Sequence, residues 1–146
     1  MKILDKNRIA GIVLAAIGLI DSIYLTIIKY SENKALCLEG IGDCWSVNNS
    51  GYSEVFGIPV SLIGIVGYLA ILMILLMMPS SSVLQLWGPY VYFGGTLLGT
   101  IYSIYLTYLE IAVINAICPF CVISAVVMIV LFVLSIYHMV NMRATP

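Results

Sequence analysis

The sequence predicts an all-α integral membrane protein, a four-transmembrane-helix bundle with an extracytoplasmic loop between helices 1 and 2. Of its 146 residues, 62% are hydrophobic and 9% are charged, and the mean hydropathy is +1.12. A water-soluble domain of this composition could not cover its surface with polar groups. The net charge of −1 and the lack of a basic cluster disfavour nucleic acid as a partner.

Four apolar stretches predict the membrane spans. Each is long enough to cross about 30 Å of hydrocarbon at about 1.5 Å per residue, and none alternates as a barrel strand would. The predicted helices cover about residues 8–30, 56–78, 87–109 and 118–137. We expect residues 1–146 to form a single membrane domain with a loop at 31–55. Because the first span lacks a small-residue cleavage pattern, it is expected to be retained.

Positive charge predicts the orientation of the bundle. One end carries four basic residues and the other carries two, namely Lys2, Lys6, Arg8 and Arg143 against Lys29 and Lys34. The positive-inside rule then places both termini in the cytoplasm. The 31–55 loop and the start of the fourth span face the outside, where disulfides persist.

An internal repeat also indicates that the loop and the start of the fourth span lie on the same side of the membrane. Residues 18–26 match residues 99–107 at seven of nine positions, and a cysteine follows eleven residues after the last position of each copy, at Cys37 and Cys118. Parallel copies would bring both cysteines to one membrane face. The alternative is coincidence among residue types that are common in membrane helices.

Two acidic residues lie within or beside predicted spans. Asp21 lies in the outer half of the first span, where a charge is costly. Two explanations are open: Asp21 has a function, or it bonds to the hydroxyl of Ser22 or Ser103. Glu110 lies at the outer end of the third span and is expected to reach the headgroups.

Cys118-Pro119-Phe120-Cys121 begins the fourth span. Its spacing is typical of thiol-disulfide oxidoreductases. Proline is tolerated in a first helical turn, so Cys118 is predicted to be the N-cap. The helix N-terminus would favour a thiolate there, whereas burial would oppose it.

The loop carries a second cysteine pair, Cys37 and Cys44, separated by six residues that include two glycines. A mobile pair in water could accept electrons and pass them to a fixed pair at the lipid boundary by disulfide exchange. We expect Cys37 to engage the partner and Cys44 to exchange with Cys118. Cys121 would then lie beside a lipid-soluble acceptor.

Two non-enzymatic alternatives are open. The four cysteines could form a structural zinc site or two structural disulfides. The loop spacing is wide for a zinc site, and His138 lies at the opposite membrane face, so no metal ligand is predicted.

Together these features resemble the vitamin K epoxide reductase family, in its short prokaryotic homologues. The resemblance includes the loop cysteines, Ser50 six residues after Cys44, Phe56-Gly57-Ile58-Pro59 and the helix-borne Cys-x-x-Cys. It implies a membrane enzyme that couples disulfide formation in secreted proteins to reduction of a quinone of ubiquinone or menaquinone type. It also implies that Ser50, Phe56 and Cys121 contact the quinone and that a loop helix covers the pocket.

Two departures from the family pattern bear on the expected redox partner and on the expected substrate. Many prokaryotic members carry a fused thioredoxin-like domain, whereas this chain stops at Pro146, so a separate thioredoxin-like extracytoplasmic protein is the expected partner. Ala125, four residues after Cys121, replaces the tyrosine of the animal enzymes. Vitamin K epoxide is therefore not the expected substrate.

Overall fold

The structure is a computed structural model that describes residues 2–31, 35 and 42–144. Within them, four helices are long and apolar enough to cross a membrane, which confirms the predicted helical membrane bundle. The elements are α1 (Lys2–Ser31), α2 (Cys44–Asn48), a 3-10 turn (Gly51–Ser53), β1 (Glu54–Val55), β2 (Ile58–Pro59), α3 (Val60–Met77), α4 (Ser82–Leu109), a π-helical turn (Glu110–Ile114) and α5 (Pro119–Ala144).

The four long helices form a ring of neighbours. Helix α1 packs against α3 and α5, and α4 packs against α5 and less extensively against α3, so α1 and α4 lie diagonally. The short helix α2 contacts α1, the π-helical turn that continues α4, and α5. Helices α1 and α4 therefore both end at the α2 end of the bundle and run in the same direction, as the repeat predicts.

The repeated sequence forms the same local hydrogen bond in both copies. Thr26 Oγ1 donates to the Ser22 carbonyl at 2.8 Å, and Thr107 Oγ1 donates to the Ser103 carbonyl at 2.9 Å. A threonine that bonds back to the preceding turn satisfies its hydroxyl without a partner helix, which suits an apolar environment.

The first glycine of each copy admits a large side chain from the next long helix. A Cβ on Gly18 would lie 2.2 Å from the Tyr68 ring, and a Cβ on Gly99 would lie 2.8 Å from Met128 Sδ. Tyr68 belongs to α3 and Met128 to α5. The α1–α3 and α4–α5 pairs therefore use equivalent close contacts, in line with the small-residue packing of membrane helices.

The core lies between α1, α3, α4 and α5. Its buried apolar residues are Ala15, Tyr68, Ile71, Leu75, Met78, Tyr92, Val127, Met128 and Leu131. Hydroxyl groups cross-link the helices through this core. Tyr68 donates to the Ser124 carbonyl at 2.9 Å, and Tyr92 donates to the Leu131 carbonyl at 3.1 Å. Such bonds fix the register of helices that hydrophobicity alone leaves free to slide in lipid.

The helix bounds differ from those drawn on hydropathy. Helix α3 begins at Val60 rather than at residue 56, because Phe56 and Gly57, with φ of 53° and 79°, form the turn between the antiparallel strands β1 and β2. Helices α1, α4 and α5 extend beyond their apolar stretches. Backbone hydrogen bonding continues through polar residues at the headgroup level, where hydropathy gives no signal.

Candidate redox site

The Cys-x-x-Cys segment forms the start of α5. Cys118 Sγ accepts the Cys121 backbone N–H at 3.4 Å, and the Cys118 carbonyl accepts the Val122 N–H at 3.1 Å. The predicted N-cap at Cys118 is therefore confirmed. Cys118 is fully buried, and both cysteines of this segment are thiols.

The loop thiol Cys44, the first residue of α2, lies directly against this segment. Its Sγ is 3.1 Å from Cys118 Sγ, and both side chains are buried. A disulfide has an S–S bond of about 2 Å, so a shift of about 1 Å would let these two sulfurs bond. Cys118 thus lies between Cys44 on one side and Cys121 on the other.

The residues before Cys44 are fixed against the residues before Cys118. The Asp43 N–H donates to the Ile117 carbonyl at 3.0 Å. Gly42 has a φ of +129°, and a Cβ there would lie 2.4 Å from the same carbonyl oxygen. Only glycine combines this backbone conformation with this approach. The Asp43 carboxylate also caps α2 by accepting the Ser46 N–H at 3.0 Å.

The segment after Cys44 is anchored to α1. Asn48 Nδ2 donates to the Leu25 carbonyl at 2.8 Å. Lys29 Nζ donates to the Asn48 carbonyl at 3.1 Å and to Ser53 Oγ at 2.7 Å, and it pairs with the Glu54 carboxylate at 3.0 Å. The sequence marks Lys29 only as a positive charge at the outer end of the first span, whereas in the structure Lys29 holds this segment over the bundle.

A cavity of about 600 Å³ lies beneath α2, within the range of small-molecule sites. Its walls are mainly apolar residues of α3, α4 and α5. Cys121, Glu110 and Ser50 contribute polar atoms to the lining, and Val47 and Asn48 of α2 also line it. Helix α2 thus covers the cavity at the end that carries the thiols.

Ser50 lines this cavity, and hydrogen bonds hold its side chain and its carbonyl group in place. Its Oγ donates to the Val47 carbonyl at 2.7 Å, and its carbonyl accepts from Ser53 Oγ at 2.8 Å. A hydroxyl that donates inward keeps oxygen lone pairs available to a ligand donor. The contact between Ser50 and a quinone that the family resemblance implies stays a prediction.

One other predicted site residue, Phe56, does not line this cavity. Phe56 is at the tip of the β1–β2 turn, with a fully exposed side chain. Its left-handed backbone places it outside the helix that it was expected to open. Cys37 lies outside the described residues. Within them, no group of three or more His, Cys, Asp or Glu side chains is placed to hold a metal ion.

Glu110 is a functional candidate that the sequence reasoning missed. It is 3% exposed, and its Oε2 accepts the Cys118 N–H at 3.1 Å, so the expectation that it reaches the headgroups is wrong. The π-helical turn and the left-handed Asn115, with φ of 52°, fold the chain back over Glu110, whose carbonyl accepts the Ala116 N–H at 3.1 Å. The available signal was Asn115, a residue type that tolerates this conformation.

Asp21 is buried in α1, at 8% exposure. Among the described residues, its Oδ2 atom has no hydrogen-bond partner. A bond from this oxygen to the hydroxyl of Ser22 or Ser103, one of the two alternatives that the sequence left open, is therefore not formed.

The surroundings of Cys118 activate its thiol. Its pKa is lowered from the ordinary 9.0, chiefly because the Cys121 side chain donates a hydrogen bond to its sulfur. Hydrogen bonds from the Cys44 side chain and the Cys121 backbone act in the same direction. Burial and the charge of Glu110 oppose them. A lower pKa enlarges the thiolate fraction, which is the reactive form in disulfide exchange.

The fold defines a multi-pass membrane protein whose described thiols are placed for disulfide exchange. The chain belongs to the vitamin K epoxide reductase family, whose sequence profile matches residues 9–136. It is also similar to the thiol-disulfide oxidoreductase LTO1 of Arabidopsis thaliana, with 44% identity over 50 residues. That match covers 34% of this chain and 13% of the relative.

Proposed function

We propose that the protein is a quinone-dependent thiol-disulfide oxidoreductase that supports disulfide formation outside the cytoplasm. Electrons pass from a separate thioredoxin-like protein through Cys37/Cys44 and then Cys118/Cys121 to the quinone. The observation that carries this proposal is the order of the thiols. Cys44 Sγ lies 3.1 Å from Cys118 Sγ, and Cys121 lines the apolar cavity.

The proposed relay consists of successive disulfide exchanges. The partner's dithiol reduces the Cys37–Cys44 disulfide and becomes a disulfide itself. The Cys44 thiolate attacks Cys118 of a Cys118–Cys121 disulfide, forms a Cys44–Cys118 bond and releases Cys121. Cys37 then attacks Cys44, which reforms the loop disulfide and releases Cys118 as a thiol. Two electrons have moved inward, and the Cys118/Cys121 dithiol can reduce a quinone to a quinol.

The cavity fits a quinone of ubiquinone or menaquinone type. The cavity volume suits a substituted ring, and the Cys121 thiol can donate a hydrogen bond to a quinone oxygen, whereas the Ser50 hydroxyl already donates to the Val47 carbonyl. Helices α3 and α4 contact each other less than the other neighbouring pairs do. Val91 and Leu98 line the cavity and are 54% and 71% exposed, so an isoprenoid tail could leave between these helices into lipid.

The orientation completes the proposal, with both termini cytoplasmic and the cysteines at the extracytoplasmic face. Arg8 near the start of α1 and Arg143 near the end of α5 lie at the end of the bundle away from α2. This distribution follows the positive-inside rule. Thiols at the opposite end would meet an oxidising compartment and the secreted substrates of a thioredoxin-like partner.

The direct test is quinone reduction by the purified protein, with a reduced thioredoxin-like protein as electron donor. We expect turnover in the parent and its loss in Cys121→Ser. A small dithiol should still reduce Cys118/Cys121 in a Cys37→Ala variant that no longer accepts electrons from the partner. Full turnover by Cys121→Ser would overturn the assignment.

A steric variant tests whether the cavity binds the quinone. Gly95 lines the cavity, and a Cβ there would meet no atom within 4 Å, so Gly95→Leu should project into the cavity without disturbing the packing. Gly94 has the same free space but does not line the cavity. We expect Gly95→Leu to raise the KM for quinone and Gly94→Leu to leave it unchanged. Equal behaviour of the two variants would place the quinone elsewhere.

A further inference from the structure

Glu110 brings a carboxyl group to the reacting sulfurs. The side chain is 3% exposed and lines the cavity. Oε2 accepts the Cys118 N–H at 3.1 Å, and Cys121, one helical turn after Cys118, lines the same cavity as Glu110. Among the described residues that line the cavity, Glu110 is the one that carries a carboxyl group.

The proposed reaction needs a proton carrier at this point. Oxidation of two thiols to a disulfide releases two electrons and two protons, and reduction of a quinone to a quinol consumes the same numbers. Cys121 lines the largely apolar cavity beneath α2, which offers few groups that could accept its proton. A carboxylate on the same cavity, bonded to the backbone of the Cys-x-x-Cys turn, is placed to act as a general base for this thiol.

We propose that Glu110 is a catalytic acid-base residue that takes the proton of the Cys121 thiol and delivers it to the quinone oxygen. This inference rests on the proposed function. The Cys118 and Cys121 sulfurs form one S–S bond, and their two electrons pass to the quinone. Glu110 returns to its carboxylate form after each transfer. Cys118 gives up the second thiol proton and the quinone takes up a second proton, so two protons leave the thiols and two reach the quinol.

The surroundings of Glu110 supply few competing groups. The thiols of Cys118 and Cys121 face it from α5, and the charge of Cys44 on α2 also influences Cys121. Among the described residues, ion pairs of basic side chains are formed by Lys29 with Glu54 and by Arg8 with Asp5, and neither involves Glu110. The carboxylate is therefore held by the Cys118 backbone N–H, and no ion pair among the described residues competes for it.

Glu110→Gln separates proton transfer from structural support. The glutamine oxygen can still accept the Cys118 N–H, but the amide cannot carry a proton between sulfur and quinone. The assay uses the full-length protein, reduced beforehand at all four cysteines, mixed once with a short-chain ubiquinone. We expect quinone reduction to slow by about 100-fold or more at neutral pH, the usual contribution of general acid-base catalysis.

Two further measurements test the role of Glu110: the pH dependence of quinone reduction and the alkylation of Cys121 in the absence of quinone. In Glu110→Gln, the rate should rise with pH because hydroxide can deprotonate Cys121 directly. Alkylation of Cys121 by N-ethylmaleimide, without quinone, should also slow at neutral pH. Asp5→Asn removes one carboxylate at the far end of α1, where Asp5 is 59% exposed, and should change neither rate.

The outcomes are distinguishable. Equal rates for the parent and Glu110→Gln in both assays would overturn the role of Glu110 while leaving quinone reduction intact. A loss that persists at all pH values together with a lowered thermal unfolding temperature would assign Glu110 to structural support and also overturn it. If the parent itself does not reduce ubiquinone, the proposed function fails, and the alkylation assay still decides whether Glu110 is the base for Cys121.

Discussion

The sulfur atom of Cys118 is shared between two possible bonds, because it lies 3.1 Å from the sulfur of Cys44 and caps the first turn of α5 through the Cys121 N–H. A bond to Cys44 connects the loop with the bundle, and a bond to Cys121 closes the pair within α5. A shift of about 1 Å would close the bond between the sulfurs of Cys118 and Cys44. The proximity of Cys44 to Cys118 is therefore the step on which electron transfer between the two pairs depends.

A trapped disulfide should report this proximity. In a Cys37→Ser/Cys121→Ser variant, Cys44 and Cys118 are the remaining cysteines, and we expect mild oxidation to join them nearly completely. The matched variant Cys37→Ser/Cys118→Ser leaves Cys44 and Cys121 and should form much less disulfide. Mass spectrometry of proteolytic peptides measures both. Equal yields would contradict the order Cys44, Cys118, Cys121.

Gly42 should prove essential for holding Cys44 in place. In Gly42→Ala, a Cβ would lie 2.4 Å from the Ile117 carbonyl oxygen at a φ of +129°. Strain of this kind costs about 1–3 kcal/mol, so we expect the 42–44 segment to separate from Ile117. Faster alkylation of Cys118 and slower exchange between the cysteine pairs would follow.

Gly51→Ala is the control for that substitution. Its Cβ would meet no atom within 4 Å, and it lies in the same extramembrane segment. We expect its alkylation and exchange rates to match those of the parent. If Gly42→Ala behaved like Gly51→Ala, the contact between Gly42 and Ile117 would not position Cys44.

The lowered pKa of Cys118 predicts a specific pH dependence. Because the pKa is lowered, half of the Cys118 thiols should ionise at a lower pH than an ordinary thiol, and thiolate-dependent exchange should level off correspondingly early. The Cys121 hydrogen bond is the largest cause. Cys121→Ala should therefore shift the midpoint upward, while Cys121→Ser, which keeps an O–H donor, should shift it less.

Ultraviolet absorbance of the thiolate gives this midpoint directly. The same titration of a Cys118→Ser variant supplies the blank for the other cysteines. An unchanged midpoint in Cys121→Ala would mean that the hydrogen bond to Cys121 does not activate Cys118.

The sequence was sufficient for features that depend on local pattern. Apolar length predicts the four spans, and proline after Cys118 predicts the cap that Cys118 forms on α5. The repeat predicts that α1 and α4 run in the same direction. Its two copies also share a local structure, because Thr26 and Thr107 each bond to the carbonyl four residues earlier. Each of these features is set by a few neighbouring residues and by the bilayer thickness.

Features that depend on distant contacts were not predictable. Glu110 turns inward because a π-helical turn changes the direction of the chain, and a hydropathy profile contains no signal for such a turn. Phe56 lies in a turn stabilised by the pairing of β1 with β2, although its apolar side chain favours assignment to the following span. Lys29 binds the 48–54 segment only because α2 folds back over α1.

The proposed orientation predicts which residues a membrane-impermeant maleimide can reach. In a variant without native cysteines, Gly51→Cys marks the α2 end, where Gly51 is exposed and a Cβ meets no neighbour within 4 Å. Ser80→Cys marks the opposite end, in the exposed turn between α3 and α4. In intact cells, we expect Gly51→Cys to be labelled and Ser80→Cys to be protected, because charge places the α2 end outside.

Inverted membrane vesicles should reverse that pattern, and detergent should make both positions reactive. These controls separate protection by the membrane from protection by folding. Labelling of Ser80→Cys in intact cells would place the cysteines in the cytoplasm, where thiols are kept reduced. A relay that accepts electrons from secreted proteins could not operate there. This measurement therefore tests the proposed function as well as the topology.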